Sequence, residues 1–166
     1  MDGNLFIALG SQKFQFNRLL KAIDDLYEKG TLTEEGFAQI GYSDYIPKNY
    51  KYMNFLNQDE FIQNIKKADI IITHGGTGAI INAIKREKKV IAVPRLAKYG
   101  EHVDNHQIQI IEQFTELNLL CPCLDTNALE EAVCTIRNSK YSVYESNTSS
   151  ILHSIEQYIK RTLLNE

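Results

Sequence analysis

Residues 70–78 constrain this chain most. Ile70, Ile71 and Ile72 feed into Thr73-His74-Gly75-Gly76-Thr77-Gly78, and helix-forming residues follow from Ala79 to Arg86. A short apolar run that ends in glycines and then a helix reads as one strand–loop–helix turn of a parallel sheet. The glycines let the loop backbone press against a ligand, and the unpaired N–H groups at the helix start welcome an anion. A second polar cluster, Asp104-Asn105-His106-Gln107, follows the apolar segment Val90–Val93 and Pro94. Polar loops at the carboxyl ends of neighbouring strands are where open α/β sheets bind ligands. The pair of clusters points to a phosphate-bearing molecule with several hydroxyls.

The same alternation runs through the chain. Strands are expected at Asn4–Leu9, Phe37–Gly41, Lys51–Phe55, Ile70–Thr73, Val90–Val93 and, weakly, Leu119–Cys121. Helices are expected at Phe14–Glu28, from a Gln58-Asp59 cap to Lys67, at Ala79–Arg86, Asp104–Glu116, Asn127–Arg137 and Ser149–Leu164. Such alternation predicts an α/β fold, a doubly wound and mostly parallel sheet with flanking helices. One domain over 1–166 is expected, with 147–166 a C-terminal helix. Its stripe of Ile151, Leu152, Ile155, Ile159 and Leu163 suits packing on its own domain or contact with a partner. In the first turn, Gly10 and Ser11 fall on the same sheet edge as His74, as a tight turn or as a third piece of the site.

Composition excludes several classes. The 166 residues carry a net charge of −3, so a nucleic-acid backbone is not an expected partner. The three cysteines lack paired zinc spacing and suit reduced thiols in a cytoplasmic protein. No leader pattern is seen, and no apolar run approaches the ~20 residues that span a bilayer. His102 and His106 flank Asp104 with metal-ligand spacing, but no further ligands are evident and capping accounts for Asp104, so no metal is expected. Asp-x-Asp is absent, so the metal-dependent way of holding a nucleotide diphosphate is unsupported. Residues 36–43 mimic a P-loop, with Tyr42 in place of the lysine. No Gly-x-Ser-x-Gly elbow accompanies His74-Gly75-Gly76, and Ile81 stands where a dinucleotide fingerprint needs glycine.

Gly10-Ser11-Gln12, Phe55-Leu56 before a helix, residues 68–78, Val93-Pro94 and Asp104-Asn105-His106-Gln107 together resemble one family. It is the C-terminal, donor-binding half of GT-B glycosyltransferases, the glycosyltransferase family 28 C-terminal domain. The likeness runs from Asn4 to Leu120 and is strongest to stand-alone subunits. These are the PssE-like subunits of capsule and exopolysaccharide synthesis and the catalytic subunit of the dolichol-linked UDP-GlcNAc transferase. The resemblance implies the Rossmann-like half of a GT-B fold and a UDP-sugar donor, with no cofactor.

It also implies roles by position. Phe55 and Leu56 fall where backbone groups read uracil, although Phe55 equally suits the core. His74, Gly75, Gly76, Thr77 and Gly78 fall where the diphosphate meets the helix start, with His74 stabilising the leaving group; a structural histidine is the competing reading. Asn82 falls where relatives place a ribose-binding Glu, and its uncharged amide accepts less well. Asp104, Asn105 and Gln107 fall where the sugar hydroxyls are gripped, against simple helix capping by Asp104. Arg95, Lys98 and Tyr99 lie in a loop that suits phosphate contacts or a lid.

A chain of this length has room only for the donor half. The resemblance therefore implies a membrane-anchored partner that supplies the acceptor site, for a lipid-linked saccharide, and the base that deprotonates its hydroxyl. The expected function is an inverting, metal-independent UDP-hexose transferase subunit, tilted towards galactose, cytoplasmic and recruited to the inner membrane face. The alternative is a non-catalytic nucleotide or nucleotide-sugar binding module.

Overall fold

The computed structural model describes residues 3–145 and 149–164, the side chains of 149–152 and 162–164 lying outside the description. Six strands form one sheet: β1 (Asn4–Ala8), β2 (Glu35–Gln39), β3 (Lys51–Met53), β4 (Ile70–His74), β5 (Lys89–Val93) and β6 (Cys121–Pro122). Their order is β3-β2-β1-β4-β5-β6, and every neighbouring pair is parallel. The helices are α1 (Asn17–Glu28), α2 (Gln58–Lys67), α3 (Thr77–Ile84), α4 (His106–Glu116), α5 (Leu129–Asn138) and α6 (Ser149–Leu164). This is the doubly wound α/β fold that the alternation predicts.

Both faces are covered. Ile7 of β1 and Leu9 just after it, Ile72 of β4 and Val93 of β5 pack against Leu20 and Ile23 of α1 and Val133 and Ile136 of α5. On the opposite face Phe6, Ala8, Ile71 and Ala92 meet Ile80 of α3 and Ile111 and Phe114 of α4. Strands buried on both sides need continuous apolar runs, which is why β1, β4 and β5 are so readable in the sequence. Ile155 of α6 is buried in the second cluster and Ile159 packs against it, so this stretch rests on its own domain. The side chains of Ile151, Leu152 and Leu163 lie outside the described residues.

Several element ends differ from expectation, each for a local reason. Asn57, not Gln58 or Asp59, caps α2: its side chain accepts from Glu60 N–H at 2.9 Å, and the Glu60 carboxylate accepts from Asn57 N–H at 3.0 Å. This reciprocal pair satisfies two otherwise unpaired donors. Helix α1 starts at Asn17 rather than Phe14, because the Phe14 and Gln15 carbonyls accept from Arg95 and Phe16 N–H donates to Ser43 Oγ. Helix α3 stops at Ile84, and Glu87 follows at φ 56°. Helix α4 starts at His106, since Asp104 is held in the preceding loop by His106 N–H.

The strand order fixes where a ligand can sit. From β1 the chain winds outward through β2 and β3; from β4 it winds the other way through β5 and β6. The β1–β4 junction is therefore the switch point, and the space beyond the carboxyl ends of these strands is where such sheets form their ligand crevice. Ala8 pairs with Thr73 there, so Gly10 and His74 emerge side by side.

Candidate functional site

His74 ends β4 with its ring packed between two glycines. A Cβ on Gly10 would stand 2.8 Å from His74 Nε2, and one on Gly76 would come within 2.6 Å of Cε1. Gly10 also has φ +75°, a left-handed conformation that disfavours side chains. A Cβ on Gly75 would meet Gln107 Cβ at 2.6 Å. Glycine at 10, 75 and 76 is what lets the β1 loop, the imidazole and Gln107 pack together.

The imidazole is neutral. Burial, then the Arg95 charge, pushes the His74 pKa down to about 3, against a hydrogen bond to the Ala8 carbonyl that raises it. Nδ1 lies 3.3 Å from Ala8 O, which can only accept, so Nδ1 carries the proton and Nε2 faces the glycines with a lone pair. His74 thus brings no positive charge to the crevice at neutral pH. That shifts the anion-binding capacity onto the backbone. Gly76 caps α3 without any side-chain hydrogen bond, and the amides of Thr77 and Gly78 open the helix.

Gln107 and Arg95 brace this loop from behind. Gln107 is 2% exposed, and its Oε1 accepts from Gly75 N–H at 3.0 Å and from Arg95 N–H at 2.9 Å. That oxygen is committed to the protein, so Gln107 positions the β4 and β5 loops. Arg95 is 1% exposed, with its guanidinium donating to the carbonyls of Leu9, Phe14 and Gln15 and stacked over Phe16. It is a strut rather than a phosphate ligand. Glu101, 0% exposed, accepts from Leu96 N–H at 2.9 Å and pairs with Arg18 at 2.8 Å. These bonds hold the loop after β5 to the segment before α1 at Arg95 and to α1 itself at Glu101, unlike a free lid. Lys98 instead lies over the Tyr99 ring.

The remaining expected residues divide between the crevice and its surroundings. Ser11 and Gly78 are exposed at its rim, and Asp104 and Asn105 stand on the loop leading into α4. Asn105 Oδ1 accepts from Ala97 N–H at 2.9 Å, and Asp104 is bonded to His106. Asn82 is turned to its own helix, donating to Gly78 O at 3.0 Å and accepting from Arg86 at 3.3 Å. Phe55 is 44% exposed and stacks edge-on with Tyr42 beyond β3, two strands from β1, while Leu56 packs against the core. The Arg18–Glu101 pair was invisible in the sequence. Its partners lie 83 residues apart and belong to no local motif.

With this geometry in view, the comparisons are decisive. The model of the glycosyltransferase family 28 C-terminal domain matches residues 4–162. The chain belongs to that family. Among curated relatives, the UDP-N-acetylglucosamine transferase subunit ALG13 of Candida albicans is 30% identical over 120 residues, covering 72% of this chain and 38% of the relative. The chain thus spans well under half the length of that relative. Among solved structures, the calicheamicin glycosyltransferase CalG4 superposes with a TM-score of 0.63 at 19% identity, over 84% of this chain and 34% of that one. The NMR structure of ALG13 gives 0.59 at 18% identity, over 93% and 95%. At these identities the superpositions establish a shared fold, the Rossmann-like half of GT-B enzymes. For this family 28 domain, no helix among the described residues is long and apolar enough to cross a membrane.

Proposed function

We propose that this chain is the donor-binding subunit of an inverting glycosyltransferase that takes its sugar from a UDP-hexose. The single observation that carries the reading is the glycine cradle at the β1–β4 switch point. There, backbone N–H groups at the start of α3 face the crevice beside a neutral, buried His74. The diphosphate lies against Gly75, Gly76, Thr77 and Gly78, where those donors stabilise the charge that grows on departing UDP. The imidazole shapes the cradle rather than neutralising it. Uracil lies towards Phe55 and Leu56, the ribose near Asn82, and the hexose hydroxyls against Asp104 and Asn105, with Gly10 and Ser11 closing the opposite side.

The acceptor hydroxyl attacks C1 from the face opposite UDP, so the bond to the diphosphate breaks as the new glycosidic bond forms. A second, membrane-anchored subunit supplies the lipid-diphosphate-linked acceptor and the base that removes its proton, and recruits this chain from the cytoplasm. The ALG13 relatives are subunits of a UDP-N-acetylglucosamine transferase, which supports a two-chain enzyme with N-acetylglucosamine as the hexose. Galactose and a capsule or exopolysaccharide setting rest on the sequence resemblance alone.

The test is transfer to a lipid-diphosphate saccharide by this chain mixed with its membrane subunit. UDP-N-acetylglucosamine and UDP-galactose are offered side by side. Transfer that needs both chains and inverts C1 is expected. UDP-sugar binding without transfer from any UDP-hexose would instead leave a non-catalytic nucleotide-sugar module.

A further inference from the structure

Three metal-ligating side chains converge on one carboxylate beside the crevice. His102, Asp104 and His106 each place a ligand atom within 4.8 Å of the other two. Nδ1 of His102 lies 3.3 Å from Oδ1 of Asp104, and Nδ1 of His106 contacts the same oxygen. The two rings stand edge to face with centroids 4.6 Å apart. A local turn explains one bond of this group, from His106 N–H to Asp104 Oδ1 at 3.0 Å. It does not require two imidazoles to face that oxygen.

Hydrogen bonding alone serves the cluster badly. Nδ1 of His102 sits 3.3 Å from Asp104 N–H, which needs a lone pair there, and 3.3 Å from Asp104 Oδ1, which needs a proton there. A neutral ring cannot meet both demands from one nitrogen. Two imidazoles and a carboxylate whose ligand atoms lie within 4.8 Å of one another are a donor set for a divalent transition metal. Two nitrogens and one oxygen suit zinc, whereas magnesium and calcium take oxygen ligands.

The supporting shell is already in place. Glu101, buried and bonded to Arg18 and Leu96, directly precedes His102; Gln107, bonded to Gly75 and Arg95, directly follows His106. The His102 ring also stacks on Phe14 at 5.5 Å. Such bracing holds ligands near productive geometry before a metal arrives. His106 and Asp104 keep 24% and 25% side-chain exposure, so an ion can enter from solvent.

We infer that His102, Asp104 and His106 form a three-ligand zinc site whose fourth position is open to water. The spacing was visible in the sequence, and the convergence that makes it a site belongs to the folded loop. The site does not depend on the sugar reading. Where that reading holds, zinc and the transferred hexose compete for Asp104.

The experiment titrates Zn²⁺ into the chain by calorimetry in a Cys134→Ser background, which removes the exposed thiol. Co²⁺ absorption serves as a second readout of coordination. One ion per chain is expected, with affinity falling at least about tenfold in His102→Gln, His106→Gln and Asp104→Asn and unchanged in His153→Gln. Thermal unfolding establishes that each variant is folded, and Zn²⁺ should raise the Tm of the parent but not of the three ligand variants. No zinc uptake, or uptake that His102→Gln and His106→Gln both leave unchanged, overturns the proposal.

Discussion

Replacing Gln107 by Met separates a brace from a sugar ligand. The substitution keeps the length of the side chain and most of its volume but removes the oxygen that accepts from Gly75 N–H and Arg95 N–H at 3.0 and 2.9 Å. Both donors lie at buried residues, and Gln107 itself is 2% exposed. An unpaired buried N–H costs about 1–3 kcal/mol, so the pair predicts a loss of about 2–6 kcal/mol. A domain's whole stability is about 5–15 kcal/mol, and with a urea slope of about 2 kcal/mol per molar the midpoint should fall by about 1–3 M. UDP affinity should fall as well, because Gly75 opens the loop that meets the diphosphate. Urea unfolding followed by far-UV circular dichroism reads the first effect, and calorimetry the second. A midpoint within about 0.3 M of the parent, with UDP-sugar binding weakened and UDP binding unchanged, would show that Gln107 faces the sugar and would refute this reasoning.

Acidification should destabilise the fold through His74. Its folded pKa of about 3 lies below the ordinary 6.5, so the unfolded chain takes up the proton first. Stability from this group is complete above about pH 6.5 and drains as pH falls towards 3, by at most about 5 kcal/mol. His74→Asn should flatten that part of the profile in urea unfolding at pH 7 and 4.5, and an equal slope would count against a buried neutral imidazole. Glu101→Gln should cost about 3 kcal/mol, the low end for a broken buried ion pair because Arg18 retains 19% exposure; an unchanged thermal midpoint would contradict the brace. Asp24, 1% exposed, accepts from Tyr45 Oη, from Lys48 and Asn49 N–H and from Asn49 Nδ2. Asp24→Ala should release residues 45–49, seen as faster amide exchange there, and unchanged protection would exclude that anchoring role.

The fold was legible wherever one element carried its own signal. Ile70–Ile72 and Val90–Val93 read as strands because both sheet faces bury them, and Leu19, Leu20, Ile23 and Leu26 trace the buried stripe of α1. Edge strand β3 is only Lys51–Met53, with a polar first residue, so its length was harder to read. The glycine loop was legible because its chemistry is local. Side-chain destinations were not. Arg95 looked like a loop cation free for phosphate, yet it reaches Leu9, 86 residues away. The bracing by Gln107 was hidden too, since no short-range pattern reveals that two loops share its oxygen. The neutrality of His74 likewise depends on burial and on Arg95, which only the folded chain brings together.

The central claim is that the crevice between Gly10 and the start of α3 holds a UDP group. Calorimetric titration of the chain with UDP and with ADP, repeated on Gly76→Ala, tests it most directly. A methyl group at position 76 would collide with the His74 ring and displace the cradle. UDP binding tighter than ADP, and lost in the variant, is the predicted result. Equal affinity for both nucleotides, or UDP binding that Gly76→Ala leaves intact, would contradict the account.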